Sequence, residues 1–264
     1  MATYFGEIVE KPSRAFWGDE YDSEDDTRTE TQNMHDRKLE VSSLVSQHIP
    51  STIKLFLVIH GPLTEGFVET CFLKKGEPIV EIKEVETENI DDDELLKRRK
   101  RRPSTIYCLS SDIMMCVCSP HLDIMQSFDF TEKISPWMKN AEQVIILDCS
   151  YISGYSVTRL QNDFPDAFLK ALKTDNFNKP VLSEILEQPN TAKGIPAGVL
   201  TWCQVFKIPA VLYICYARNY EVDSNSVKLF CQLFCKMPFK LLKEKPDFTH
   251  KLSTAPEFSS NLYM

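Results

Sequence analysis

Glycine is scarce in this chain, with 8 residues in 264, about 3% against ~7% in typical proteins. No two of them are spaced as a phosphate-cradling loop, which argues against nucleotide binding by the familiar Gly-rich turns. Long hydrophobic runs are missing as well. The longest, Ala210 to Ala217, is far short of the ~18 residues of a membrane span. The opening Met1 to Glu7 has neither the basic-then-apolar texture of a leader nor a second-position glycine for myristoylation. Positive charge is short: 30 Lys and Arg stand against 38 Asp and Glu, a net of −8, which argues against a general phosphate-binding surface. An odd count of nine cysteines suits reduced thiols better than a disulfide framework. These features predict a chain of the cytosol or nucleus.

Catalytic patterns are thin in the same way. There is no Gly-x-Ser-x-Gly elbow. The five histidines, His35, His48, His60, His121 and His250, are scattered, and a Cys71–His60 dyad is not singled out by spacing. Cys116 with Cys118, and Cys231 with Cys235, could each turn two thiolates to one side. They sit in apolar stretches rather than Cys-x-x-Cys turns, which suits small buried hydrophobes better than a metal. No catalytic, cofactor-binding or metal-binding residue is assigned, and no cofactor is expected.

What is present is unevenly distributed. Residues 1–36 hold ten acids and three bases, a net of −7, and leave the remainder close to neutral. This stretch has no sustained period and is expected to form a disordered acidic arm. Residues 37–245 read as one α/β domain, carrying a charged insertion over residues 81–103, and residues 246–264 as a flexible tail. Within the domain, Leu55–Ile59, Ile113–Cys118, Val144–Leu147 and Val211–Cys215 are apolar on both faces, as strands covered by helices on each side must be. The spacing of Phe164, Phe168, Ala171 and Leu172 predicts a helix over Asn162 to Thr174. Ile195, Val199, Cys203 and Phe206 predict a second. Val227, Phe230, Cys231 and Phe234 predict a third, capped by Ser224 and stopped by Pro238. The fold class expected is a three-layer α/β/α sandwich. In the insertion, Asp91–Glu94 precedes six consecutive bases, Lys97 to Arg102. A solvated loop, a short charged helix, and a nuclear-localisation or anion-binding patch all fit that order.

The segments Ala167–Phe177, Leu186–Asn190 and Ile195–Tyr216, with the opening Phe5–Val9, closely resemble the 20S proteasome α-ring assembly chaperones. The resemblance spans the chain and is most specific over Phe164 to Tyr216. The basic stretch Lys97 to Arg102 departs from the family. The resemblance implies a nucleoside-phosphorylase-like sandwich without that enzyme's chemistry. It also implies a non-catalytic, cytoplasmic chaperone, with nuclear and endoplasmic-reticulum-associated pools allowed. Such a chaperone pairs with proteasome assembly chaperone 2, binds 20S proteasome α subunits, promotes α-ring closure and prevents premature ring dimerisation. The family's hydrophobic-Tyr-x terminus, matched here by Leu262, Tyr263 and Met264, is implied to insert between α subunits. The helices around Gly194 to Phe206 and Ser224 to Cys235 are candidates for the partner interface. A small-molecule enzyme on the same scaffold is the alternative, and it would need convergent titratable groups at the strand ends.

Overall fold

A computed structural model of the chain describes residues 38–44, 49–73, 76–84, 101–156, 165–220 and 222–237, all within the compact unit Lys38–Met264. The acidic arm 1–36 and the tail 246–264 lie outside the described residues. The elements in chain order are β1 (Leu39–Ser43), β2 (Leu55–Ile59), α1 (Pro62–Val68), β3 (Glu77–Glu84), β4 (Ser104–Ser110), β5 (Ile113–Val117), α2 (Ser127–Lys139), β6 (Val144–Tyr151), β7 (Ala167–Lys173), β8 (Glu184–Ile185), α3 (Gly194–Val205), β9 (Ala210–Ala217) and α4 (Ser224–Lys236). They build one sheet in the order β1-β3-β4-β5-β2-β6-β9-β7-β8.

The four apolar runs of the sequence form its centre. β5, β2, β6 and β9 are mutually parallel. Every residue of β2 and β9 is buried, because each strand has helices over both faces. One set of alternating side chains, including Phe56, Val58, Cys116, Ile146 and Leu212, packs under α2 and α3. The other set, including Leu57, Met115, Leu147 and Tyr213, packs under α1 and α4. This is the three-layer sandwich expected, with antiparallel strands added at both ends of the parallel centre.

Two helix expectations hold, and one is corrected. Ile195, Val199 and Cys203 form the buried stripe of α3, and Val227, Phe230 and Phe234 that of α4. The N-cap of α4 is Asp223, one residue earlier than expected. Its carboxylate accepts from the Ser226 N–H at 2.7 Å, and the Ser226 hydroxyl accepts from the Asp223 N–H. Pro238 lies outside the described residues. Of the segment Asn162 to Thr174, residues 162–164 lie outside the described residues, and the rest is not a helix. Residues 167–173 are strand β7, paired antiparallel with β9 from Ala167↔Ala217 to Lys173↔Val211. Its good helix formers are overridden by the ladder. The buried Lys170 sits between Phe168 and Leu172 on one face and hides the period of two. The expected charged insertion also starts inside a strand. Val80 and Ile82 of β3 point into the core, and Glu81 and Lys83 alternate with them. Residues 85–100 lie outside the described residues.

Candidate functional sites

In an open α/β sheet, ligands bind where neighbouring strands send their connections to opposite faces. Here that point is between β2, which runs into α1, and β5, which leads to α2. Titratable groups do converge on this end of the sheet. His60 Nδ1 is 2.8 Å from Asp148 Oδ1 on β6, a partner 88 residues away, so the ring is committed there rather than to Cys71. Cys149, next to Asp148, closes the start of α1: its sulfur accepts from the N–H groups of Leu63 and Thr64. Gly61, at φ 89°, is required because a Cβ there would lie 2.5 Å from that sulfur.

The thiols in this region are not poised to react. Burial pushes Cys149 up to about 11, with Asp148 adding to the rise; at the other end of the sheet, burial alone pushes Cys203 of α3 up to about 12. Cys118 is held well above the ordinary thiol range by its hydrogen bond with Cys116 and by burial. A nucleophilic cysteine or a thiolate ligand needs the opposite shift. Cys116 and Cys118 are core residues, and Cys231 and Cys235 lie on α4 with greater exposure. Among the described residues no group of three His, Cys, Asp or Glu could hold a metal ion. No helix of the described residues is long and apolar enough to cross a membrane.

A second polar cluster fastens β7 to the loop after β8. Lys170 Nζ is 2.8 Å from Glu184 and 3.0 Å from Glu187, and the Tyr155 hydroxyl donates to Glu187. Burial opposes charge on Lys170, but its hydrogen bonds to Glu184, Tyr155 and Glu187 hold the ammonium above its ordinary range. Burial likewise disfavours the Glu187 carboxylate, yet bonds from Tyr155 and Lys170 hold it below its ordinary range. Lys170 also lies 5.6 Å from the Tyr155 ring centre, beside the stacked Phe168 and Tyr216. The one buried ammonium is held by both carboxylates, and the tyrosine hydroxyl binds the second of them, so the cluster is a structural fastening.

The basic run is partly absorbed by the fold. Arg102 pairs with Glu65 of α1 and with Glu69, the latter at 2.8 Å, and Arg101 pairs with Glu84 of β3 at 3.1 Å. Lys97 to Lys100 lie outside the described residues.

The outer surface of α2 and α3 has the opposite character to the strand ends: it is apolar and exposed. Phe128 and Val205 are each 68% exposed, Ile124 62% and Met125 59%, and Phe206 extends the set. Trp202 joins the two helices, edge-on to Phe128 with ring centres 5.9 Å apart and 4.6 Å from Phe206. The helices approach closely at Gly198, where a Cβ would fall 2.3 Å from Ser127 Oγ. The α3 end is a Schellman motif. Lys207 N–H donates to the Gln204 carbonyl, Ile208 N–H donates to that of Cys203, and Lys207 adopts φ 58° at the position usually held by glycine. The expectation of a partner surface around Gly194 to Phe206 falls on this ridge. Phe206 was expected on the inner stripe of α3, but the helix ends at Val205 and turns its ring outward. Phe128 and Val205 carried no sequence signal. Leu262, Tyr263 and Met264 lie outside the described residues.

Fold and surfaces define a class: a three-layer sandwich with a sealed core, fastened strand ends and an apolar outer helix face. Solved structures share the fold. PbaA of Pyrococcus furiosus, described as an archaeal homolog of proteasome-assembly chaperone, superposes with TM-score 0.53 at 15% identity, covering 81% of this chain and 91% of that one. PbaB of the same organism, described as an archaeal proteasome activator, gives TM-score 0.52 at 12% identity over 82% and 94%. The family model described as Proteasome assembly chaperone 4 matches residues 1–264, and the chain belongs to the proteasome assembly chaperone family. Proteasome assembly chaperone 1 of Callithrix jacchus is 32% identical over 296 residues, covering 99% of both chains. The human protein of that name is 29% identical with the same coverage. That of Mus musculus is 36% identical over 61% of this chain and 60% of its own.

Proposed function

We propose that this chain is a non-catalytic chaperone of 20S proteasome assembly. Paired with a second, related chaperone, proteasome assembly chaperone 2, it promotes closure of the α-ring and blocks premature ring dimerisation. Family membership over the whole chain is the observation that carries this reading. The raised thiol pKa values at the strand ends support a role through surfaces rather than bond-making.

In this reading the C-terminal Leu262, Tyr263 and Met264 enter a pocket between α subunits. The tyrosine ring buries apolar area there and the terminal carboxylate meets a cationic or backbone donor. The 18 residues from Asp247 to Met264 could span roughly 60 Å if extended, enough to leave the domain. Removing Leu262 to Met264 is expected to weaken binding to α-ring precursors by about ten-fold or more on native gels, while leaving the melting curve unchanged. Undiminished precursor binding by the truncated chain would refute the tail mechanism.

A further inference from the structure

The α2/α3 ridge carries three features that folding does not require. Phe128, Val205 and Phe206, with Ile124 and Met125 just before α2, are large apolar side chains left exposed, and such residues gathered on one face mark interaction surfaces. The Trp202 indole nitrogen is buried and has no hydrogen-bond partner, an orphan donor at the middle of the patch. The Phe206 end is cationic. Lys139 Nζ lies 5.1 Å from the centre of the Phe206 ring, Lys207 is the next residue, and neither has a carboxylate partner among the described residues. Asp175 is engaged by Gln204, at 2.6 Å. Glu132 lies about 10 Å back along α2 from Lys139, toward the Phe128 end.

We propose that this face docks a partner protein through an apolar helix edged with carboxylates. The apolar side chains of that helix cover Phe128, Trp202, Val205 and Phe206, and its carboxylates reach Lys139 and Lys207. The charge pattern selects this occupant: an apolar surface alone would accept any greasy segment, whereas two unpaired lysines at one end favour acids and repel bases. A helix suits the site because α2 and α3 run side by side in the same direction, Ser127 beside Gly198 and Lys139 beside Phe206, so the row Phe128, Trp202 and Phe206 follows a line that one helix face can cover. The conformation of Lys207 points the same way, since a left-handed lysine stands where glycine would be relaxed. The proposal is independent of the tail mechanism.

The test uses the full chain and two synthetic amphipathic peptides of about 20 residues with leucines at helical spacing, one flanked by glutamates and one by lysines. Binding is followed by fluorescence anisotropy and by the NMR resonance of the indole N–H, assigned with Trp202→Phe. The acidic peptide is expected to bind about ten-fold more tightly than the basic one and to move the indole resonance. Lys139→Glu with Lys207→Glu should reverse that preference. Phe128→Ser with Phe206→Ser should abolish binding of both peptides, with circular dichroism confirming the fold. If that pair unfolds the chain, the charge reversal still decides. Equal affinity for both peptides, no saturable binding, or binding unaltered by the substitutions would each overturn the proposal.

Discussion

On the α1/α4 face, Phe67 lies with its ring centre 5.0 Å from Phe230 and 5.6 Å from Phe234, and Phe72 completes the cluster, all four fully buried or nearly so. On the α2/α3 face the core beneath the helices is equally closed, by Phe130, Ile134, Met138 and Val199. Phe128, Trp202 and Phe206 form a second aromatic row on top. The same residue type therefore does two jobs. A turn of π-helix, Glu69–Leu73, continues α1 and carries Phe72 into the core, so the inner cluster is sealed. The outer row begins where α2 starts and ends where α3 stops, at positions the helices turn to solvent. Aromatics that stabilise by burial belong to the fold, and those left exposed in a row belong to an interface.

The largest expected effect breaks this contrast at its buried side. Phe67→Ala should lower stability by about 3–5 kcal/mol, because it opens a cavity among three other rings. Phe128→Ser should change it by about 1 kcal/mol or less, because that ring is mostly exposed and meets Trp202 only edge-on. Urea denaturation of both variants measures the difference directly. A Phe128→Ser loss approaching that of Phe67→Ala would mean the outer row is part of the core, and the contrast would fail.

A smaller effect is expected at the Lys170 cluster, which fastens the edge of the sheet that neither aromatic set touches. Lys170→Met should cost about 1 kcal/mol at neutral pH, a modest figure because Glu184 and Glu187 are partly solvated. The pH dependence carries the sharper signature. Glu187 has a lowered folded value, so its contribution is present above its ordinary 4.5 and is lost as pH falls through the lower folded value. The raised value of Lys170 means that its contribution is complete below its ordinary 10.5 and is lost only as pH rises through the higher folded value. Wild type should therefore lose stability below pH 4.5 more steeply than Lys170→Met, in melts collected across that window. Parallel acid limbs would refute the assigned pairing.

Much of the architecture was legible because the parallel strands are apolar on both faces, a pattern that only a covered central sheet satisfies. β7 was misread for the reason the cluster exists. Lys170 is apolar in placement and charged in type, so the alternation is hidden, and the spacing of Phe164, Phe168, Ala171 and Leu172 reads as a helix. β3 was misread because its outward glutamates and Lys83 run on into a stretch of like composition, which masks the inward Val80 and Ile82. The sites were less legible than the fold. The His60–Asp148 pair joins residues 88 apart, and no local spacing encodes it. The α3 side of the ridge lies in the stretch Gly194 to Phe206 named as a candidate partner surface, but Phe128 escaped because an exposed phenylalanine and a buried one look alike in sequence. Whether Phe128 faces in or out is decided by the close approach of α2 and α3 at Gly198.

The smallest expected effect separates folding from docking at a single residue. Lys207 occupies the left-handed position of the Schellman motif, where a side chain is strained and glycine is not. Glycine would remove that strain but give the unfolded chain more freedom, so the net stabilisation of Lys207→Gly should be a few tenths to about 1 kcal/mol. For a domain of this size that is a rise of about 1–4 °C in Tm. The same substitution deletes one of the two cations beside Phe206 and should weaken the acidic peptide by about three-fold. Stability and binding would then move in opposite directions, as expected where a residue is kept for its charge at the expense of its backbone. If Lys207→Gly raised Tm and left peptide affinity unaltered, the lysine would have no part in docking, and the cationic end of the ridge would reduce to Lys139.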